Sequence, residues 1–140
     1  MKVVLDTSVI VSALRSNRGA SNRLLQMAYA RSFVLLATPA LFLEYEEVLG
    51  REEHRDLHGM SQERMSEFLI GLAAIIEPVR IYYQWRPQMR DTDDEMVLES
   101  ALNGGADIIA THNVKDFLTP ASKFDVRILT PASLVLELSK

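Results

Sequence analysis

Short apolar runs, each broken abruptly by a polar residue, alternate along this chain with longer stretches in which apolar positions recur every three or four residues. The first run, Val3-Val4-Leu5, stops on Asp6-Thr7-Ser8, which predicts a buried strand whose carboxyl end presents a carboxylate. Val9, Ile10, Ala13 and Leu14 follow at helical spacing, and the polar stretch Arg15 to Gly19 reads as the stop. A second helix is expected from near Ser21, with Leu24, Leu25 and Ala28 on one face. Phe33 to Ala37 is too short for a helix and reads as a second buried strand, closed by Thr38-Pro39, with the proline suited to the first turn of a new helix. That helix, Ala40 to about Gly50, puts Leu41, Tyr45, Val48 and Leu49 at i, i+4, i+7 and i+8.

The second half continues the alternation. Met65, Phe68, Leu69, Leu72, Ala73 and Ile76 predict a long helix from about Gln62 to Glu77, ended by Pro78, and Val79 to Tyr83 alternates as a half-exposed outer strand would. Trp85 to Met89 reads as a loop. The acid-rich Arg90 to Glu95 then opens a helix that buries Val97, Leu98, Ala101 and Leu102 and stops at Asn103-Gly104-Gly105. Asp107 to Thr111 is the next strand, His112 to Phe117 a loop or single helical turn, and Asp125 to Leu129 a last strand. Thr130-Pro131 starts a terminal helix with Leu134, Val135 and Leu138 inward. Strands alternating with helices throughout predict a doubly wound α/β sheet with helices on both faces.

Composition narrows the class without changing that picture. A chain of 140 residues is the size of one domain, so a single domain over 1–140 is expected. With 48% hydrophobic and 24% charged residues, no stretch reads as disordered or low in complexity. The apolar runs fall far short of the roughly 20 residues that span a bilayer. Met1-Lys2-Val3 leads straight into a strand, so no signal peptide is expected. The absence of cysteine excludes a disulfide scaffold and thiolate chemistry, and a cytoplasmic protein is the simplest expectation. A net charge of −4 argues against holding nucleic acid by bulk electrostatics, and leaves room only for local patches: Arg15, Arg18 and Arg23, or Arg86 and Arg90. Each of these arginines, taken singly, reads as solvated. His54 and His58 stand at i, i+4, but Arg55 follows the first of them where a metalloprotease motif needs Glu, so they read as surface histidines.

Four acids share one property: Asp6, Glu44, Asp94 and Asp116 each lie just past the carboxyl end of a strand or on the helix that a strand feeds. Asp6 fits two roles, an N-cap of the next helix or a group that does chemistry in the crevice beyond the strands. Glu44 flanks the buried stripe of its helix, whereas Glu46, Glu47, Glu52 and Glu53 read as solvated. Asp94, three residues before Val97 and four before Leu98, extends a buried stripe towards the sheet; Glu95 does so less well, and Asp91, Thr92 or Asp93 is better placed to cap. Carboxylates gathered on one sheet edge repel and raise one another's pKa unless a cation sits among them. Oxygen-only ligands select Mg²⁺ or Mn²⁺, an ion that can activate water for attack on a phosphodiester and draw a polyanion to an acidic protein.

These segments resemble the PIN domain ribonucleases, and in particular the PIN-type toxins of toxin–antitoxin pairs. The resemblance is carried by Val3-Val4-Leu5-Asp6-Thr7-Ser8, by Thr38-Pro39 with Glu44 six residues after Thr38, by Asp91-Thr92-Asp93-Asp94, and by Ala110 to Phe117, in that order over essentially the whole chain. It implies a three-layer α/β/α sandwich, an acidic Mg²⁺- or Mn²⁺-binding set of Asp6, Glu44, Asp94 and Asp116, and Ser8, Thr111 and Asn113 as polar neighbours. It further implies endonucleolytic hydrolysis of RNA, leaving a 5'-phosphate, by a homodimer restrained by a cognate antitoxin, with a face near Met65 or in the last helices. Some relatives carry an acid where Asn113 stands. Two other readings compete. A haloacid-dehalogenase-like phosphohydrolase also begins on a strand ending in Asp, but wants a second Asp where Ser8 stands. A non-catalytic RNA- or protein-binding module would keep the fold without needing all four acids.

Overall fold

The computed structural model describes residues 1–84 and 88–140. Along the chain run β1 (Lys2–Leu5), α1 (Thr7–Arg15), α2 (Ala20–Tyr29), β2 (Val34–Ala37), α3 (Pro39–Leu49), α4 (Glu52–His58), α5 (Gln62–Ile75) and β3 (Ile76–Pro78). They are followed by α6 (Thr92–Gly104), β4 (Ile108–Ala110), α7 (Val114–Ala121), β5 (Arg127–Leu129) and α8 (Pro131–Leu138). Among the described residues the five strands form one sheet in the order β3-β2-β1-β4-β5, parallel at every pairing. Helices flank it as the outer layers of an α/β/α sandwich. Parallel strands covered on both faces read as unbroken apolar runs, and Val3, Val4 and Leu5 of the central strand are completely buried.

The order of strands places the site. From β1 the chain steps outward to β2 and β3, then α6 carries it back across β2 and β1 to β4 on the other side. The direction of winding therefore reverses between β1 and β4, the position where open parallel sheets leave a crevice beyond the strand ends. Leu5 pairs with Ala110 there, so Asp6 and Thr111 leave the sheet side by side. Thr38 caps α3 at the end of β2, its hydroxyl accepting from Leu41 N–H at 3.1 Å, and Pro39 fills the first helical turn as predicted. No helix among the described residues is long and apolar enough to cross a membrane.

Three expected elements, in two places, are corrected. The helix predicted to reach Glu77 ends at Ile75, and Ile76–Pro78 is the edge strand, paired through Leu35↔Ile76, Leu36↔Glu77 and Ala37↔Pro78. Ile76 continues the helical spacing from Leu72, so periodicity alone carries the helix one turn too far. Val79 N–H donates to Ala37 O at 3.0 Å, which turns the nitrogen of Pro78 to the open edge, where a missing N–H costs nothing. The strand predicted at Val79 to Tyr83 does not form. The Asn103 side chain ties that segment to α6 instead, its Oδ1 accepting from Tyr82 N–H at 2.7 Å and Tyr83 N–H at 2.9 Å, its Nδ2 donating to Tyr83 O at 3.0 Å. Secondly, the loop or single turn predicted after Thr111 is the two-turn helix α7, because Phe117 and Ala121, at i and i+4, both bury against the core. In the predicted loop at Trp85 to Met89, residues Trp85, Arg86 and Pro87 lie outside the described residues.

Gly104 and Gly105 end α6 for different reasons. Gly105 adopts φ +64°, the left-handed C-cap conformation that suits glycine. At Gly104 a Cβ would meet Val79 Cγ2 at 2.8 Å and Leu36 Cδ1 at 2.9 Å, so the absent side chain is what lets α6 press onto the edge of the sheet. Gly104→Ala is expected to lower unfolding free energy in urea by about 1–2 kcal/mol, overpacking outweighing the helix propensity gained.

Candidate active site

Asp6 is the most buried of the four predicted acids. It ends β1, is 5% exposed, and stands at the N-cap position of α1, yet its side chain makes no capping bond to that helix. Its Oδ2 instead accepts hydrogen bonds from Ser8 Oγ at 2.9 Å and Thr111 Oγ1 at 2.7 Å. The carboxylate therefore leaves the N-cap role unfilled, and its bonds run to Ser8 and across to Thr111. Thr111 is fully buried and works in both directions: its hydroxyl also accepts Asn113 N–H at 2.9 Å, which sets the turn into α7. From behind, Tyr45 on α3 donates its hydroxyl to Leu5 O, fixing the backbone one residue before Asp6. Burial, and then the charge of Asp6, push the Tyr45 hydroxyl pKa up, so it stays a donor.

Asp94, in the first turn of α6, faces the same space. Burial and then the carboxylates of Asp6, Asp91, Asp116 and Asp93 raise its pKa from 3.8 to about 7. That coupling is the physical signature of convergence: acids drawn from β1, α6 and α7 sit close enough to resist one another's ionisation. Asp116 is exposed on the first turn of α7. A groove of about 510 Å³ opens beside Asp94 and Asp116, with Arg90, Asp91, Asn113 and Lys115 on its walls.

Glu44 is half-buried on α3 and lies beside Asp93. Burial first, then Asp93 and Glu47, hold its carboxyl above the usual range, while Arg51 pulls it down. Glu44 therefore joins the acidic edge through the first turn of α6, next to Asp93 rather than bonded to Asp6. Glu46, Glu47, Glu52 and Glu53 are exposed, as expected. Asp91 caps α6, its Oδ1 accepting Asp93 N–H at 2.9 Å.

Sequence reasoning missed a row of polar groups on α6. Glu95, expected to extend the buried stripe only weakly, is 4% exposed, and its Oε1 accepts the backbone N–H groups of Gln88 at 2.5 Å and Met89 at 2.7 Å. Glu99 is also buried, and Asn103 closes the row at the other end. The spacing 95, 99, 103 is the signal: three polar residues at i, i+4 and i+8 make one ridge, whose two ends, Glu95 and Asn103, hold the segment preceding the helix. Ser100 was missed too; it donates to Thr38 Oγ1 at 3.1 Å and accepts Thr38 N–H at 3.2 Å, joining α6 to the end of β2. Glu95→Ala leaves two backbone donors without their partner beside the acidic groove. The expected loss is about 1–3 kcal/mol in denaturant titration.

The donor chemistry suits a hard divalent cation: the converging groups are carboxylates and hydroxyls, and the repulsion recorded in the pKa of Asp94 is what a cation would relieve. Among the described residues no three His, Asp or Glu side chains are drawn together into a finished metal-holding group. A family model for the PIN domain matches residues 2–115, the stretch that runs from β1 through Thr111 and into α7. The chain belongs to the PIN-domain family. Nuclease chemistry of a general kind, with nucleic acid as partner and divalent metal as the usual cofactor class, comes with that membership. Comparison with curated proteins gives no match. Within the PIN-domain match, Asp6, Glu44, Asp94 and Asn113 all fall inside the matched residues, and Asp116 lies one residue beyond.

Proposed function

We infer that this PIN domain is a Mg²⁺- or Mn²⁺-dependent endoribonuclease, the toxin of a toxin–antitoxin pair. The observation that carries the catalytic reading is the convergence of Asp6 and Asp94 at the switch point between β1 and β4, with Asp116 close enough to add to the raised pKa of Asp94. Asp6, Asp94 and Asp116 would hold the ion, with Glu44 joining through Asp93. Bound there, the ion supplies Lewis acidity and a water of lowered pKa for attack on phosphorus.

The chain's own residues have distinct tasks in this scheme. Ser8 and Thr111 aim the Asp6 carboxylate by donating to one of its oxygens. Asn113, an amide with both donor and acceptor, positions substrate or water where some relatives use an acid. Asp94, with a pKa of about 7 in the metal-free protein, is poised to give up its proton at neutral pH as positive charge arrives. The toxin role, the antitoxin and the homodimer rest on the sequence resemblance to PIN-type toxins.

The test is the chemistry of the ends. Purified protein incubated with total RNA and Mg²⁺ is expected to leave 5'-phosphate ends that accept ligation directly, and expression of the chain alone is expected to arrest growth unless a small co-encoded protein is present. Ends carrying 2',3'-cyclic phosphate, formed equally well in EDTA, would overturn it.

A further inference from the structure

A second groove of about 490 Å³ lies on the other side of Ser8 from the acids, and its chemistry is opposite. One stripe of α1 forms its length: Thr7, Ser8, Ser12 and Arg15, with Val11 and Val48 of α3 as an apolar floor. His54 of α4 and His112 of the turn after β4 complete it, and none of its lining residues is acidic. Arg15 Nη2 lies 3.2 Å from His54 Nδ1. A guanidinium can only donate, so Nδ1 accepts and the ring carries its proton on Nε2. That nitrogen stands 3.8 Å from Glu53 Oε1, the acid flanking His54 on α4. His112 Nε2 lies 3.1 Å from Ser21 Oγ on α2, which ties the ring to the helix after α1. Residues 39 and 91 positions apart are thus joined around one trough, and what they offer is a cation, imidazoles and hydroxyls.

The trough reaches the acids at one end only. Ser8 lines it and also donates to Asp6 Oδ2. Arg15 is seven residues further along α1, about 10 Å at the helical rise. An anion held at Arg15 therefore lies alongside the acidic centre without touching it. Arg15 and His54, which look like solvated surface groups when read singly, meet His112 here to give a local cationic and imidazole-lined patch on a chain of net charge −4.

We propose that the Arg15–His54–His112 groove binds a phosphate of single-stranded RNA next to the scissile one, and so sets the path of the strand into the acidic centre. This rests on the ribonuclease reading for its purpose but not for its measurement. Binding of a fluorescein-labelled 12-nucleotide polyuridylate is measured in EDTA, with the RNA verified intact, and cleavage of the same oligonucleotide is measured separately with Mn²⁺. Arg15→Glu is expected to weaken binding at least about tenfold and to flatten the dependence of log K on log salt by about 0.7, one phosphate contact on a single strand. KM should rise by a similar factor with kcat within about twofold, Arg15→Lys should recover most of the loss, and His112→Ala should weaken binding more mildly. A purely structural role for Arg15 would instead lower thermal stability without changing the salt slope. Binding, salt slope and KM unchanged in both Arg15→Glu and His112→Ala would overturn the proposal even if the protein cleaves RNA. Arg15-dependent binding by a wild type that cleaves nothing would retire the ribonuclease reading and keep the groove.

Discussion

Asp94→Asn is expected to abolish RNA cleavage, by about a thousandfold or more, while making the metal-free protein more stable at alkaline pH. The two effects have one origin. Burial and four neighbouring acids hold the Asp94 pKa at about 7 against 3.8, so the folded protein favours the protonated carboxyl. The stability contributed by that preference is complete below about pH 4 and is lost as pH rises through about 7, the direction required for an acid whose folded pKa is raised. Asparagine cannot ionise and keeps the shape. In EDTA at pH 8 the variant should melt about 3–4 °C above wild type, roughly 1 kcal/mol once the half-exposed position is discounted for solvent screening, with the difference vanishing near pH 4. Added Mn²⁺ should raise the melting temperature of wild type at pH 8 and leave the variant nearly unmoved. Cleavage falls by the loss of several kcal/mol of electrostatic stabilisation, each 1.36 kcal/mol being about tenfold. A variant that is both inactive and less stable across this pH range would show that Asp94 is structural.

Thr111→Val is the second large effect, and it acts through Asp6. The fully buried hydroxyl is the shorter of the two bonds to Asp6 Oδ2, at 2.7 Å, and also accepts Asn113 N–H at 2.9 Å. Valine preserves the shape and removes both bonds at once, so a buried carboxylate loses a donor and a backbone amide loses its acceptor. Groups that orient a metal ligand typically cost about 10–100-fold in affinity or activity when removed, and leaving buried polar groups unpaired costs about 1–3 kcal/mol of stability. Thr111→Ser should restore most of both. Ser8→Ala, which removes the longer and less buried bond, should do less harm. Melting curves and Mn²⁺-dependent cleavage rates measured on the four proteins decide the order.

Much of this was legible in the residues. Apolar runs bounded by polar residues locate β1, β2 and β4 because inner strands of a parallel sheet are buried on both faces and show no alternation, whereas the edge strand β5, with Arg127 exposed and Ile128 and Leu129 partly buried, is marked only by its short apolar end. What the pattern could not resolve were places where two physical demands produce the same spacing. Ile76 continues the helical row from Leu72 and also pairs with Leu35 in the sheet; the sheet wins because β2 offers an open edge. Asp6 sits at an N-cap position and bonds to neither backbone donor, a choice made by Thr111, which is 105 residues away in sequence. Glu44 and Asp94 were readable as acids near the strand ends, but the meeting of Glu44 with Asp93 depends on how α3 packs on α6. Glu95, read as extending the buried stripe only weakly, and Glu99 give little sign of full burial in a sequence because carboxylates seldom bury, and Glu95 is buried where two backbone amides await it. Arg15 and His54 give no local sign of each other at all.

The most direct test of the central claim is a single-turnover cleavage assay on a labelled RNA oligonucleotide with wild type and Asp6→Asn, each in Mn²⁺ and in EDTA. If Asp6, Asp94 and Asp116 form a metal-dependent nuclease centre, the oligonucleotide is cut only by wild type and only with Mn²⁺, while both proteins melt as folded domains. Equal cleavage with and without metal, or by both proteins, would contradict it.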